Sequence, residues 1–254
     1  MRKTGKLTLF IAGWLLTLPL TAVAGLPEVI ERTERAIVAV GTYNPLGQPA
    51  AQFKGTGFAV GDGHRVLTNY HVLPEGLPAN EQTYLAVFAG RGDRVRPMRA
   101  EKVAVDPKHD LALLRFEGEA LPALELGSSG AVRPGHRVAF TGFPIGMVLG
   151  MYPVTHEGLI SAVTPIATPQ GQARSLDSAT ISRLEEPYEV FQLDATAYPG
   201  NSGSPVYREE TGKVVGILNM VFVKESKESV LQKPSGIAYA IPVEHARALL
   251  GEGK

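Results

Sequence analysis

Short runs of apolar and β-branched residues, separated by glycine, proline and polar residues, recur along the chain from residue 36 onward. This pattern is typical of strands that pack one face on a core. About a dozen strands are predicted, at 36–40, 57–60, 65–68, 85–88, 102–105, 111–116, 137–141, 158–162, 189–193, 205–207, 213–221 and 237–241. Because little helical pattern lies between them, the sequence predicts an all-β, antiparallel protein of sandwich or barrel type.

Two short helices are predicted at the ends of this β-rich region. Residues 27–35 have proline in the first turn, and Pro242 precedes an amphipathic segment at 243–250. A turn-rich segment at 124–135 is expected to join two halves, roughly 36–125 and 130–241. Long loops at 165–187 and 224–235 are expected to be functional or mobile, since loops of that length are uncommon in compact domains.

The first 24 residues have the layout of a secretory signal peptide. Arg2, Lys3 and Lys6 give a positive head, residues 7–20 are apolar, and the segment ends in Ala-Val-Ala. We expect cleavage after Ala24, which leaves 25–254 as the mature protein without a stable membrane span. The apolar run is short of the ~20 residues that a spanning helix needs, although an uncleaved anchor remains the alternative.

Composition excludes several classes of function. The 25 basic and 25 acidic residues cancel, and no basic patch or aromatic platform suggests a nucleic-acid partner. The absence of cysteine excludes disulfides, zinc–thiolate sites and thiol nucleophiles. Acids and imidazoles do not occur with metal-ligand spacing, so neither a metal nor a cofactor is expected. Export without cysteine favours a bacterial periplasmic or secreted location.

The segment PGNSGSP at 199–205 could present a nucleophilic serine. Such a serine needs an exposed hydroxyl in a tight turn flanked by residues of little bulk. Gly200 can adopt backbone angles that other residues avoid, so that the amides of Gly200 and Ser202 point at one spot. We therefore predict an oxyanion hole at Gly200, Asn201 and Ser202. Taken alone, the segment is equally compatible with a glycine- and serine-rich turn between strands.

Two further segments supply candidate partners for this serine. His71 alone among six histidines follows an apolar strand end, in VLTNYHV at 66–72. Asp110 directly precedes the apolar run 111–116, where a carboxylate can be partly buried and still accept a bond from an imidazole. An aspartate that caps a turn is the alternative. His109 is not expected to pair with Asp110, because adjacent residues on an extended chain point in opposite directions.

The candidates occur in the order His71, Asp110, Ser202, with gaps of 110 − 71 = 39 and 202 − 110 = 92 residues. This is the chain order of chymotrypsin-type serine hydrolases. Nucleophile-elbow esterases have the order serine, acid, histidine on a parallel sheet with helices, so an esterase of that type ranks last.

The chain resembles trypsin-like serine peptidases of the bacterial HtrA (Deg) type over about residues 36–250. The matching segments are GTGFAV (55–60), VLTNYHV (66–72), DPKHDLALLRF (106–116), GFPIG (142–146), GLISAV (158–163), FQLDATAYPGNSGSPVY (191–207), VVGI (214–217) and GIAYAIPV (236–243). The resemblance implies two perpendicular six-stranded antiparallel β-barrels with the active site between them. It also implies that His71 is the general base, Asp110 its orienting carboxylate and Ser202 the nucleophile.

The sequence departs from that family in several places. HtrA proteins usually carry PDZ domains, and none is expected in the dozen or so residues after GIAYAIPV. Ser204 replaces a glycine, as in secreted glutamyl endopeptidases, but the histidine that binds an acidic side chain in those enzymes does not follow VVGI here. Thr196 in turn offers no charge to pair with a basic side chain. We therefore expect an apolar specificity pocket and cleavage after aliphatic residues. The residues assigned to this pocket are Thr196, Leu218, Asn219, Met220 and Val221.

These observations predict a serine endopeptidase of the bacterial cell envelope that hydrolyses unfolded or flexible polypeptides through an acyl-enzyme. The alternative is a catalytically idle binding or chaperone-like module on the same fold, because a fold does not fix function. A complete set of His71, Asp110 and Ser202 argues against that alternative, since a binding module has no need of all three. The sequence does not indicate the oligomeric state.

Overall fold

The computed structural model describes residues 25–77, 82–144, 150–166, 186–219 and 236–251. The predicted signal peptide at 1–24 lies outside the described residues, as do Met220, Val221 and most of the two long loops. Within the described residues, no helix is both long and apolar enough to cross a membrane.

The first half of the chain forms a closed antiparallel barrel of six strands, in the order β1-β2-β3-β6-β5-β4. Its core is apolar, with Phe58, Phe88 and Leu113 among the most buried side chains. The strands are β1 (Ile37–Tyr43), β2 (Ala51–Val60), β3 (Arg65–Asn69), β4 (Tyr84–Ala89), β5 (Arg96–Asp106) and β6 (Leu111–Phe116).

The second half forms another closed six-stranded antiparallel barrel, in the order β10-β11-β12-β9-β8-β7. A separate apolar cluster that includes Phe140, Ile160 and Leu193 fills it. The strands are β7 (Arg137–Gly142), β8 (Val154–Pro165), β9 (Glu189–Asp194), β10 (Pro205–Arg208), β11 (Val214–Asn219) and β12 (Ile237–Pro242). The prediction of an all-β fold of two six-stranded barrels is thus confirmed.

Several strands extend beyond the apolar runs that predicted them. β5 begins at Arg96 rather than at residue 102, and β2 begins at Ala51 rather than at residue 57. In both cases the additional residues pair with a neighbouring strand, as Arg96 does with Ala89 and Ala51 with Tyr43. Backbone pairing therefore carries the strand through polar residues that periodicity alone leaves out.

Both predicted helices are present. α1 (Leu26–Thr33) continues into a 3₁₀ turn at Glu34–Ala36, and α2 (Val243–Leu250) follows β12 directly. α2 is attached to the segment between the barrels, because Glu244 accepts the Ser129 amide at 2.7 Å and Arg247 donates to the carbonyls of Leu126 and Gly127. Its buried residue Ala246 packs in the core cluster that also contains barrel-one side chains.

Candidate active site

Asp110 lies at the end of the turn between β5 and β6, in an unusual backbone conformation. Its φ is +54°, in the left-handed region that aspartate tolerates better than most residues with a side chain. Asp110 as a whole residue is only 3% exposed. Its carbonyl accepts the Tyr70 amide at 3.0 Å and Asn69 Nδ2 at 3.1 Å. These contacts fix the direction in which the carboxylate points.

His71 follows β3 in a single 3₁₀ turn, Tyr70–Val72. Its backbone amide donates to Asp110 Oδ1 at 2.9 Å, and its Nδ1 lies 2.6 Å from Asp110 Oδ2. On the other side of the ring, Nε2 lies 3.0 Å from Ser202 Oγ. The structure therefore brings together the three residues that the sequence motifs singled out, two from barrel one and one from barrel two.

This arrangement determines the imidazole tautomer. An ionised carboxylate only accepts hydrogen bonds, so the short contact to Asp110 requires the proton on His71 Nδ1. The lone pair of Nε2 then faces the Ser202 hydroxyl, which can donate to it. A neutral histidine in this tautomer is able to take the serine proton.

The turn that carries Ser202 is held by a strand of the other barrel. The Thr56 amide, on β2, donates to the Ser202 carbonyl at 2.8 Å, and Thr56 Oγ1 donates to the Gly200 carbonyl at 2.7 Å. Gly200 has a φ of +101° and Gly203 one of +87°, values that favour glycine. In the described part of the chain, the amides of Gly200 and Ser202 donate to no protein acceptor, so both are available to a bound oxygen.

Asn201 does not contribute to the oxyanion hole in the way the sequence predicted. Its amide donates to the Tyr198 carbonyl at 3.0 Å, which closes the turn before Ser202, and its side chain is fully buried. A donor that is already used inside a turn cannot also face a substrate oxygen, so only Gly200 and Ser202 remain as candidate donors.

Two residues of the predicted specificity pocket point in different directions in the structure. Leu218 and Asn219 are adjacent on β11 and therefore point to opposite faces. Leu218 is fully buried in the core of barrel two, whereas Asn219 faces barrel one and donates through Nδ2 to Asp110 Oδ2 at 2.7 Å. Thr196 is partly buried on the segment from β9 to Ser202. Met220 and Val221 lie outside the described residues.

Sequence reasoning missed the positions of Asn219 and Thr56 relative to the site. A polar residue at the end of an otherwise apolar strand, VVGIL, was the available signal for Asn219. The signal for Thr56 was its place between two glycines in GTGF, which leaves room for close approach of a second chain segment. Neither signal says which partner is approached, because both partners come from the other barrel.

The remaining described histidines take no part in this cluster. His109 Nδ1 lies 2.5 Å from Asp106 Oδ2, as expected from its orientation away from Asp110, and its ring stacks on that of His245 at 3.8 Å. Burial lowers the pKa of His156. Burial also lowers the pKa of His245, to about 4, with a smaller contribution from the neighbouring His109. Among the described residues, no three metal-binding side chains are placed to hold an ion.

Two closed six-stranded barrels, joined at a site with contacting serine, histidine and aspartate side chains, define the class of chymotrypsin-like serine peptidase folds. The family model described as "Trypsin-like peptidase domain" matches residues 55–217. The chain therefore belongs to the trypsin-like peptidase family.

Curated relatives include a "probable periplasmic serine endoprotease DegP-like" of Hahella chejuensis, 33% identical over 213 residues that cover 84% of this chain and 38% of the relative. One of the same description from Pseudomonas fluorescens is 31% identical over 224 residues, covering 87% of this chain and 40% of the relative. The chain thus spans about two fifths of the length of these relatives.

Two solved structures have the same fold. The HtrA-type protease AlgW with a decapeptide gives a TM-score of 0.61 at 23% identity, covering 91% of this chain and 69% of the other. The same protease with a tripeptide gives a TM-score of 0.62 at 24% identity, covering 90% and 63%. The described barrels therefore have the architecture of HtrA-type protease domains.

Proposed function

We propose that this protein is a serine endopeptidase that cleaves unfolded or flexible polypeptides in the bacterial envelope. One observation carries the proposal: His71 Nε2 lies 3.0 Å from Ser202 Oγ while Nδ1 of the same ring lies 2.6 Å from the buried Asp110. The base is thus in hydrogen-bond reach of the nucleophile on one side of its ring and of the orienting group on the other, the geometry that nucleophilic catalysis requires.

The first half of the reaction forms an acyl-enzyme. His71 Nε2 takes the hydroxyl proton as Ser202 Oγ attacks the peptide carbonyl, and Asp110 stabilises the imidazolium that forms. Asn219, which donates to the same carboxylate oxygen, is a positioning residue because it acts through Asp110. The Gly200 and Ser202 amides bind the oxyanion, and one such donor typically lowers the barrier by ~3 kcal/mol.

The second half releases the two products. His71 gives its proton to the leaving nitrogen, and the new amine departs. Water then attacks the acyl carbonyl, with His71 as base again, and the carboxylate product leaves while Ser202 recovers its proton. Every step uses groups of this chain, so the proposal needs no metal ion.

The envelope location is supported by two independent observations. The curated relatives are described as periplasmic endoproteases, and the first 24 residues of this chain have the pattern of a signal peptide. We propose export to the periplasm with cleavage after Ala24. Sequencing the N-terminus of protein recovered from the periplasm should begin at Gly25, and retention of Trp14 in that protein would contradict it.

A catalytically idle binding module is not favoured as an alternative. Such a module would have no reason to keep a buried carboxylate behind an imidazole that faces a serine hydroxyl, since a buried charge is costly without such partners. Among the described residues, the Asp110 carboxylate accepts hydrogen bonds from three donors, namely the His71 amide, His71 Nδ1 and Asn219 Nδ2.

The test is digestion of a denatured protein by the purified mature chain. Ser202→Ala and His71→Ala should abolish cleavage, and Asp110→Asn should lower turnover on the order of 10⁴-fold through the wrong tautomer. Ser204→Ala is the matched control, because that serine is fully buried two residues away and should leave cleavage intact. Wild-type rates in Ser202→Ala would overturn the proposal.

A further inference from the structure

If the proposed function holds, the polypeptide that leaves after cleavage starts beside barrel one. His71 belongs to barrel one and protonates the leaving nitrogen, whereas the oxyanion donors Gly200 and Ser202 belong to barrel two. The leaving nitrogen therefore lies on the His71 side of Ser202 Oγ. Residues C-terminal to the cut bond therefore have the barrel-one surface formed by the His71 turn and β2 within reach.

Lys54 lies next to Gly55, a residue of β2 that packs close to Ser202. A Cβ at Gly55 would lie 2.9 Å from the Ser202 carbonyl oxygen and 2.7 Å from a methyl group of Val72, the residue after His71. This strand segment therefore packs against both halves of the site. Lys54 is the next residue along the strand, one Cα–Cα step of ~3.8 Å from Gly55.

Two adjoining cavities follow the surface from His71 to Lys54. One, of about 730 Å³, is bounded by His71 and shares Pro74 and Gly76 with a second cavity of about 440 Å³. The second cavity lies against the β1–β2 hairpin and has Lys54 in its wall. The shared residues make the two cavities neighbours. The wall of the first cavity contains charged residues, among them Glu75, Glu101 and Lys102. The neutral wall around Lys54 therefore belongs to the second cavity alone.

Lys54 is the charged residue of that second cavity. Strand alternation directs Phe53 inward, where its ring meets Phe88 at 4.6 Å, and leaves Gln52 and Lys54 on the outer face. The other described residues of the cavity wall are neutral, among them Thr42, Asn44 and Gln48. Lys54 is exposed, and none of the ion pairs among the described residues involves it.

We infer that Lys54 selects substrates that carry an acidic side chain at the second or third residue after the cut bond. An ammonium in a neutral polar wall attracts a carboxylate and disfavours a lysine or arginine at the same place. Because the pair would be solvent-exposed, its effect is modest, about 2- to 5-fold in kcat/KM. It should vanish near 1 M salt, where the screening length is only ~3 Å.

The test uses quenched fluorescent peptides of one sequence, with Asp, Asn or Lys placed in turn at each of the four positions after the cut bond. Wild type should cleave the Asp peptide fastest at the second or third position. Lys54→Met should remove this preference, and Lys54→Glu should invert it. Lys213→Met is the matched control, since it removes the same charge from a lysine that pairs with Glu125 far from the site.

A second measurement separates this inference from the proposed function. Peptides corresponding to the leaving segment are bound to Ser202→Ala and followed by fluorescence anisotropy, with Asp and Asn versions compared. Tighter binding of the Asp version, lost in the Lys54→Met double variant, supports the inference without any catalysis. Equal affinities and equal cleavage of Asp and Asn peptides would overturn it, as would a preference that survives Lys54→Met. If the Asp peptide binds more tightly than the Asn peptide but the wild-type protein cleaves neither, the proposed function is overturned instead.

Discussion

Asp110 is the residue whose conformation and environment are most constrained in the site. Its backbone is left-handed, and its carboxylate is buried among three donors. A buried charge is tolerated only where such donors replace water. Strain of this kind persists where the surrounding structure enforces it, and it concentrates at functional sites. In the proposed mechanism, the donors supplied by His71 and Asn219 therefore act by holding one carboxylate in place.

Replacing Asn219 by leucine should lower kcat about 10- to 100-fold with little change in KM. Leucine has the same branched shape but cannot donate to Asp110 Oδ2, and a hydrogen bond to a charged group is typically worth ~1.5–3 kcal/mol. Steady-state kinetics of the purified variant, together with its melting temperature, would measure this. Wild-type kcat in a folded Asn219→Leu protein would show that Asp110 does not depend on this donor.

At the scale of elements, the Ser202 turn depends on β2 of the other barrel. Thr56 contributes its amide to Ser202 and its hydroxyl to Gly200, while its own carbonyl accepts Thr68 Oγ1 at 2.7 Å. Gly203 fits against that same carbonyl, because a Cβ there would lie 2.0 Å from Thr56 O. The active-site turn is thus shaped by close backbone packing as well as by its own glycines.

Gly203→Ala should destabilise the protein by more than about 2 kcal/mol and abolish cleavage. Alanine is unfavourable at φ +87°, and its methyl group would also overlap the Thr56 carbonyl. Gly135→Ala is the matched control: its φ is +95°, but no atom lies within 4 Å of the added Cβ. It should cost only about 1 kcal/mol. Urea unfolding of both variants measures the difference, and equal losses would show that the Thr56 contact is unimportant.

At the scale of the whole molecule, the closing helix α2 connects the end of barrel two to the β5–β6 turn of barrel one. His245 on α2 stacks on His109, the residue before Asp110, with Tyr188 at the edge of both rings. Asp106, Lys108 and Glu244 are the charged groups that act on His245 there, in addition to His109. Packing of α2 therefore reaches the turn that positions the carboxylate of Asp110.

The stability of the folded protein should fall as the pH drops from about 6.5 towards 4. Burial, with a smaller contribution from His109, lowers the pKa of folded His245 to about 4, whereas the unfolded chain takes up that proton near pH 6.5. Protons then favour the unfolded state across this interval. Melting temperatures at pH 7.5 and 4.5 should differ more for wild type than for His245→Leu. An identical pH dependence in both would contradict this origin.

Local pattern was sufficient for much of the fold and for the choice of candidate residues. β6, Leu111–Phe116, and α2, Val243–Leu250, have the bounds that apolar runs and proline predicted. The motifs around His71, Asp110 and Ser202 singled out residues that lie in contact in the structure. Glycine-rich turns and strand ends are local features, so they can be recognised without knowledge of the neighbouring strands.

The residues around those motifs were decided by tertiary structure. Side chains alternate along a strand, so Leu218 and Asn219 on β11 must face opposite sides. Only closure of the barrel decides that Leu218 faces the core and that Asn219 faces Asp110. Likewise, the sequence around Asn201 would allow its amide to point at a substrate. In the structure that amide instead donates to the Tyr198 carbonyl within the turn. The sequence by itself determined the apolar parts of the strands and the three chemical groups of the candidate site, since both depend on short-range pattern. Which polar groups support them depends on contacts between residues more than a hundred positions apart, which only the folded chain brings together.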